Sequence, residues 1–342
     1  MNDTARTFSV APMMDWTDRH CRVFHRQMTK RALLYTEMVT AQAIRHGDRG
    51  RLLGFDSLEQ PVALQIGGSD PTLLAEAAKW GEDYGYCEIN LNVGCPSGRV
   101  QTGRFGACLM AEPALVRDCL GAMRQAVKVP VTIKCRIGID DQDEEDDFTN
   151  FVETVMQSGV TTFIVHARKA WLKGLSPKEN REVPPLNYRR VYGIKQKHAK
   201  INVVINGGIN TIDDALEHLK HVDGVMLGRA AYNTPWLLSG VDSRIFGEVR
   251  EIADPLDVVE RMKHYISREL AKGVWLQNIT RHMLGLFHGM PGGRLWRRVL
   301  SEQAPKPGAG IEVLEKAAKE VADRINRPAT GLPAPRGASC VS

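Results

Sequence analysis

None of the seven cysteines (Cys21, Cys87, Cys95, Cys108, Cys119, Cys135 and Cys340) has a partner at CxxC spacing, and their number is odd. A disulfide framework and a zinc ribbon are both disfavoured, and reduced thiols are expected. No run approaches the roughly 18 to 20 uninterrupted apolar residues that span a bilayer, and Met1 to Val10 lacks the basic and apolar regions of a secretory signal. The expected location is the cytoplasm, with no membrane partner. Strong net charge is also missing: +5 over 342 residues means that any polyanion site must arise from local clustering. The acidic run DDQDEEDD at 140–147 lacks EF-hand spacing, so a solvated loop is expected there and no metal site.

What is present is a repeated alternation. Short apolar or β-branched runs bounded by glycine, proline or polar residues occur as FSVAPM near residue 8, ALLYTEMV near 32, PVALQIGG near 61 and YCEINLNVGC near 86. PVTIKCRIG near 130, TTFIVHARK near 161, INVVINGGI near 201 and GVMLGRAA near 224 continue the series. Between them lie segments such as DPTLLAEAAKWGEDYG and EPALVRDCLGAMRQAV, with apolar residues at helical spacing. Eight such units predict an α/β fold, a (β/α)8 TIM barrel over 1–240. Beyond it, PLDVVERMKHYISRELAKG, WLQNITRHMLGLFHGM and IEVLEKAAKEVADRI predict a small all-helical C-terminal domain over 241–326. The Pro-, Gly- and Ser-rich stretch 327–342 reads as a disordered tail.

Side chains alternate faces along a strand. In the fourth run Cys87, Ile89, Leu91 and Val93 share one face, and Glu88, Asn90 and Asn92 the other. In the fifth, Val131, Ile133, Cys135 and Ile137 oppose Thr132, Lys134 and Arg136; in the sixth, Phe163, Val165 and Ala167 oppose Thr162, Ile164, His166 and Arg168. The apolar faces should pack on helices and the polar faces point into the lumen, where an unpaired charge is costly unless something binds it.

Barrel enzymes place their chemistry at the C-terminal strand ends. Here those carry Pro12, Met13, Met14, Gln65, Asn92, Cys95, Lys134, Arg136, His166, Asn206, Gly207, Gly208, Gly228 and Arg229. NGGIN after the seventh strand and LGRAA after the eighth suit a phosphate, because glycine lets backbone N–H groups approach and Arg229 adds a guanidinium. Lys134 reads either as an ion-pair partner of Glu88 or as a cation beside an electron-rich heterocycle such as a reduced flavin. His166 beside it suggests a ligand role, and the Gln65 amide suits a donor and acceptor ring edge. Cys87, Cys119 and Cys135 read as core. Cys95 instead ends its strand in a Gly-Cys-Pro turn, where glycine permits unusual dihedrals and proline stiffens the exit, so its thiol should project over the barrel mouth. Nucleophile, proton donor and structural turn residue all remain open.

APMMDWTDRHCR at 11–22, QIGG at 65–68, NLNVGCPSGRVQTGRFGACLM at 90–110, VTIKCRIGID at 131–140, VHAR at 165–168, NGGI at 206–209, LGRAAYNTPW at 227–236 and NITRHMLGLFHG at 278–289 together resemble the tRNA-dihydrouridine synthases. DWTDRHCR and GRFGACLM resemble the A branch, which modifies positions 20 and 20a of the tRNA D-loop. The resemblance implies an FMN enzyme, reduced by NADPH, that reduces the C5=C6 bond of uridine, with hydride passing from flavin N5 to C6 and a proton from Cys95 to C5. A thiol holds its proton at neutral pH and can donate it. By the same match Pro12, Met13 and Met14 line the flavin, and Gln65, Lys134 and His166 contact its ring or ribityl chain. Asn206, Gly207, Gly208, Gly228 and Arg229 hold its phosphate, and Asn92 orients the base.

A uracil in a folded tRNA reaches a barrel mouth only when extruded, so basic clusters should hold the RNA. From Arg168 to Lys200 there are ten Lys or Arg against two acids, and from Lys272 to Leu300 no acid at all. Arg181 in the first stretch and Arg294, Arg297 and Arg298 in the second are the expected tRNA contacts, the last three surrounding Trp296 after a flexible Gly-Gly. A monomer is expected. The competing readings are an FMN barrel acting on a free pyrimidine, a Schiff-base lyase using Lys134, and an RNA-binding protein with a vestigial flavin site.

Overall fold

The structure, a computed structural model, describes residues 6–98, 102–142, 144–249 and 252–326; the predicted tail at 327–342 lies outside them. Eight parallel strands close into a barrel in sequence order: β1 Phe8–Val10, β2 Leu33–Thr40, β3 Val62–Gly67, β4 Glu88–Val93, β5 Val131–Arg136, β6 Thr162–His166, β7 Asn202–Asn206 and β8 Gly224–Leu227. All eight predicted runs are strands, and β1 closes on β8 through Phe8, Ser9 and Val10 opposite Val225, Met226 and Leu227. The crossover helices include α1 Pro71–Asp83, α2 Pro113–Ala126, α3 Glu145–Met156 and α4 Tyr188–Lys197. In α1 the Asp70 carboxylate accepts from the Thr72 and Leu73 amides, and Pro71 opens the first turn. Leu74, Ala77, Ala78 and Gly81 form its buried stripe. Gly81 is required by closeness: a Cβ there would lie 2.5 Å from Ile89 Cδ1 and 2.7 Å from Leu64 Cδ2. The acidic run is not wholly a loop. It leads into α3, with Glu144 and Asp147 forming a capping box, a placement the helix dipole favours.

The lumen follows the predicted parity. Its lower part is apolar, packed from Ala11, Leu33, Tyr35, Ala63, Ile164, Val204 and Met226. Cys87 departs from prediction: it precedes β4, is only half-buried and packs against this interior cluster, where strand alternation does not yet apply. Glu88 is buried among polar partners. Arg6 Nε donates to it at 2.6 Å, and the hydroxyls of Tyr35 and Thr132 donate at 2.5 and 2.7 Å. Such a charge is tolerated in the interior because every partner is in place.

The chain divides into two compact units, the second beginning at Asp254. Strand signals end near residue 240, but the first unit runs on to Ala253. Asp242 ties this stretch back by accepting from Thr29 Oγ1, the Lys30 amide and the Arg31 amide. The second unit contains α5 Pro255–Ala271, α6 Leu276–Thr280, α7 Gly293–Gln303 and α8 Ile311–Ile325. WLQNITRHMLGLFHGM is not one helix. It leaves helical geometry after Thr280, passes through turns to Gly289 at φ 75° and Pro291, and a separate helix starts at Gly293. Among the described residues no helix is long and apolar enough to cross a membrane.

Candidate active site

Above the apolar layer the lumen becomes a chain of amides. Asn92 Nδ2 donates to Gln65 Oε1, Gln65 Nε2 to Asn90 Oδ1, and Asn90 Nδ2 to Thr132 Oγ1, at 2.8, 2.8 and 2.9 Å. Thr132 passes the chain down to Glu88. Such a network fixes both the flip and the rotamer of each amide. Lys134, opposite Asn92 in the sheet register, donates from Nζ to Asn206 Oδ1 at 3.0 Å, and Asn206 Nδ2 donates to the Met226 carbonyl. The Glu88 partnership considered for Lys134 is not found: Arg6 fills that role.

Cys95 stands on a turn held from three sides. Asn92 Oδ1 accepts from the Gly94 and Cys95 amides at 3.1 and 3.0 Å. Arg136 Nε donates to the Gly94 carbonyl at 2.8 Å, and the Ala107 amide donates to the Cys95 carbonyl at 2.9 Å. Gly94 stays outside the left-handed region, so the turn owes its shape to these bonds rather than to glycine's freedom. The thiol is half-buried, with Ser97 Oγ 3.6 Å away. Arg136, buried on the polar face of β5, has a larger part in the site than its sequence position suggests. Its Nη1 also donates to the Lys169 and Asn180 carbonyls at 2.9 and 3.0 Å, joining the Cys95 turn to the segment after β6. Asn180 organises that segment by bonding both the amide and the carbonyl of Trp171.

These side chains act on one another electrostatically. Burial, then the charges of Arg136, Lys134, Arg168 and Arg181, hold His166 well below the usual histidine range, so it stands neutral. Burial pushes Arg136 down to about 10, with Cys95 the leading opposing influence. Burial, followed by the Arg136 charge, lowers Lys134 from 10.5 to about 8. Because the folded value lies below the unfolded one, the unfolded chain holds the extra proton between those two values, and stability attached to this position rises with pH across that window. The stability difference between parent and Lys134→Met should therefore shift in the parent's favour by on the order of 1–3 kcal/mol between about pH 7 and about pH 10, as read by urea unfolding.

Gly207 and Gly208 turn after β7 with φ of 112° and 72°. A Cβ on Gly207 would lie 2.6 Å from His166 Cδ2, so only glycine fits against the ring. A Cβ on Gly228 would meet nothing closer than Met13 Sδ at 3.8 Å. Met13 packs on the interior cluster and Pro12 is half-buried, whereas Met14 is largely exposed. Asp15, at φ 63°, gives its amide to Glu37 Oε1 at 2.5 Å. Glu37, at the C-terminal half of β2, is a further mouth residue that sequence reasoning missed. Arg229 is paired with Glu182.

The model of the family described as "Dihydrouridine synthase (Dus)" matches residues 9–322. The chain belongs to the dihydrouridine synthase family. It is 57% identical over 319 residues to the tRNA-dihydrouridine(20/20a) synthase of Vibrio parahaemolyticus, covering 93% of this chain and 98% of that one. It is 59% identical over 318 residues to the protein of the same name from Escherichia coli strain K12, covering 93% and 92%. Among solved structures, a 2-naphthoyl-CoA reductase in complex with 2-naphthoyl-CoA shares the fold at a TM-score of 0.55 and 10% identity, over 69% of this chain and 49% of that one. For a dihydrouridine synthase, the gathering of Gln65, Asn92, Cys95, Lys134, His166 and Asn206 at one mouth has an immediate chemical reading.

In the second unit, Arg294, Arg297 and Arg298 are exposed on α7, while Trp296, Val299 and Leu300 are buried. Trp296 is core, not an RNA platform: its Nε1 donates to the Met283 carbonyl at 2.8 Å and its ring meets Phe287 edge-on. The Gly-Gly before it is not a flexible hinge. Gly292 takes a left-handed cap at φ 82°, and a Cβ on Gly293 would lie 2.2 Å from the Phe287 carbonyl oxygen. In the first unit two of the clustered cations are already paired, Lys195 with Asp223 and Lys197 with Glu153, whereas Arg181 is exposed beside the site.

Proposed function

We propose that this dihydrouridine synthase reduces the C5=C6 bond of uridine in the tRNA D-loop, at positions 20 and 20a, with FMN as cofactor and NADPH as reductant, and that it works as a cytoplasmic monomer. The reading is carried by one observation: the Cys95 thiol sits on a turn pinned by Asn92 and Arg136, at the same mouth as Lys134 and the Gly207–Gly208 turn. The residues present suit a phosphorylated flavin. Lys134, Arg136, Arg168, Arg181 and Arg229 make the mouth strongly positive, and the cradle beside His166 admits no side chain at Gly207. Pro12, Met13 and Met14 would line the ring, with Gln65, Lys134 and the neutral His166 at its polar edge. Asn206, Gly207, Gly208, Gly228 and Arg229 would hold the phosphate end.

When bound, FMN supplies the hydride that reaches C6 of the uracil. Cys95 delivers the proton to C5 from the other face of the base. Asn92 orients the base and, through its hold on the Gly94 and Cys95 amides, the thiol as well. Arg181, and Arg294, Arg297 and Arg298 in the second unit, grip the tRNA backbone while the uridine is flipped out. The direct test supplies the purified chain with FMN, NADPH and tRNA lacking dihydrouridine, and measures the product by mass spectrometry. Dihydrouridine in tRNA at positions 20 and 20a, with free uridine unreduced, is expected. A protein that binds no flavin, or that reduces free uridine equally well, rejects the reading.

A further inference from the structure

Arg229 stands at the proposed phosphate end, yet its guanidinium is engaged by an acid of its own chain: Nη1 donates to Glu182 Oε1 at 2.6 Å. Glu182 lies in the segment that follows β6, next to Arg181. Its carbonyl accepts from Arg168 Nη1 at 3.2 Å, and the same nitrogen also donates to the Pro184 carbonyl. Arg168 Nε is buried without a partner among the described residues. Burial, then the Arg229 charge, lowers Arg181, with Cys95 and Glu182 opposing. Arg168 is lowered by burial and by Arg229 against Tyr188 and Glu182. Tyr188 links this group to the glycine turn, since its hydroxyl donates to the Gly207 carbonyl at 2.9 Å. Arg229 alone bonds the Glu182 carboxylate, while Arg168, which bonds the Glu182 main-chain carbonyl, and Arg181 add two more guanidiniums within its electrostatic reach.

That excess of cations describes an anion site filled by a side chain. A phosphate carries nearly twice the charge of a carboxylate and three acceptor oxygens, so it is the stronger partner for the same donors. We propose that Glu182 is a built-in competitor for the phosphate site, displaced from Arg229 when the phosphate of the cofactor enters. The inference rests on the flavin reading above. Riboflavin, which has no phosphate, should be indifferent to Glu182.

Glu182 is exposed, so Glu182→Gln and Glu182→Ala leave the core untouched. In the full-length, flavin-free chain, quenching of flavin fluorescence should show FMN binding about two- to five-fold tighter in both variants, the range of an exposed ion pair, with riboflavin binding unchanged. Equal or weaker FMN affinity in the variants, or the same tightening for riboflavin, overturns the proposal. Failure of parent and variants alike to bind either flavin overturns the cofactor reading instead.

Discussion

Replacing Cys95 by alanine is expected to lower the rate of dihydrouridine formation by roughly two to four orders of magnitude, the usual contribution of a positioned general acid, while FMN and tRNA binding persist. The thiol adds only one weak bond, to Ser97 Oγ, to its own turn. Asn92 Oδ1, Arg136 Nε and the Ala107 amide all bond backbone atoms of Gly94 or Cys95, and the sulfur itself faces Ser97 Oγ at 3.6 Å. Removal of the sulfur therefore takes away a proton source without dismantling the mouth. Single-turnover measurement with pre-reduced flavin isolates the step, and NADPH oxidation by the free enzyme should match the parent. Undiminished dihydrouridine formation would show that another group protonates C5.

The barrel was legible because a closed parallel sheet imposes two simple patterns, β-branched runs at regular spacing and strict alternation within each run. That alternation put Glu88, Asn90, Asn92, Lys134, Arg136 and His166 on the lumen face, and they are the residues that line it. What alternation cannot supply is the partner. Glu88 is answered by Arg6, which lies before the first strand and meets β4 only because the barrel closes. Arg136 was visible on the right face, but its acceptors are the carbonyls of Gly94, Lys169 and Asn180, which no side-chain pattern encodes. Charge clusters suffered similarly. Lys195 and Lys197 look free in a linear window, yet Asp223 and Glu153 reach them from distant segments. Trp296 was misjudged for another reason: grouping it with neighbouring arginines ignored the helical period, which turns it inward while they face out.

That same period underlies the second large effect. Arg294, Arg297 and Arg298 stand at i, i+3 and i+4 on α7 and form one exposed basic stripe, backed by the buried Trp296, Val299 and Leu300. Reversing two of them, Arg297→Glu with Arg298→Glu, leaves the buried face intact, so the helical unit should keep its circular dichroism and melting behaviour. Affinity for tRNA should fall by about 10- to 100-fold at moderate salt, since phosphates that the two arginines no longer neutralise keep their counterions and each new carboxylate repels the backbone. The plot of log affinity against log salt should become shallower by about two, one for each cation removed. NADPH oxidation in the absence of tRNA is the internal control and is expected to match the parent. A variant with parental affinity and parental salt slope would remove α7 from the RNA interface and leave Arg181, on the segment after β6, to account for the grip.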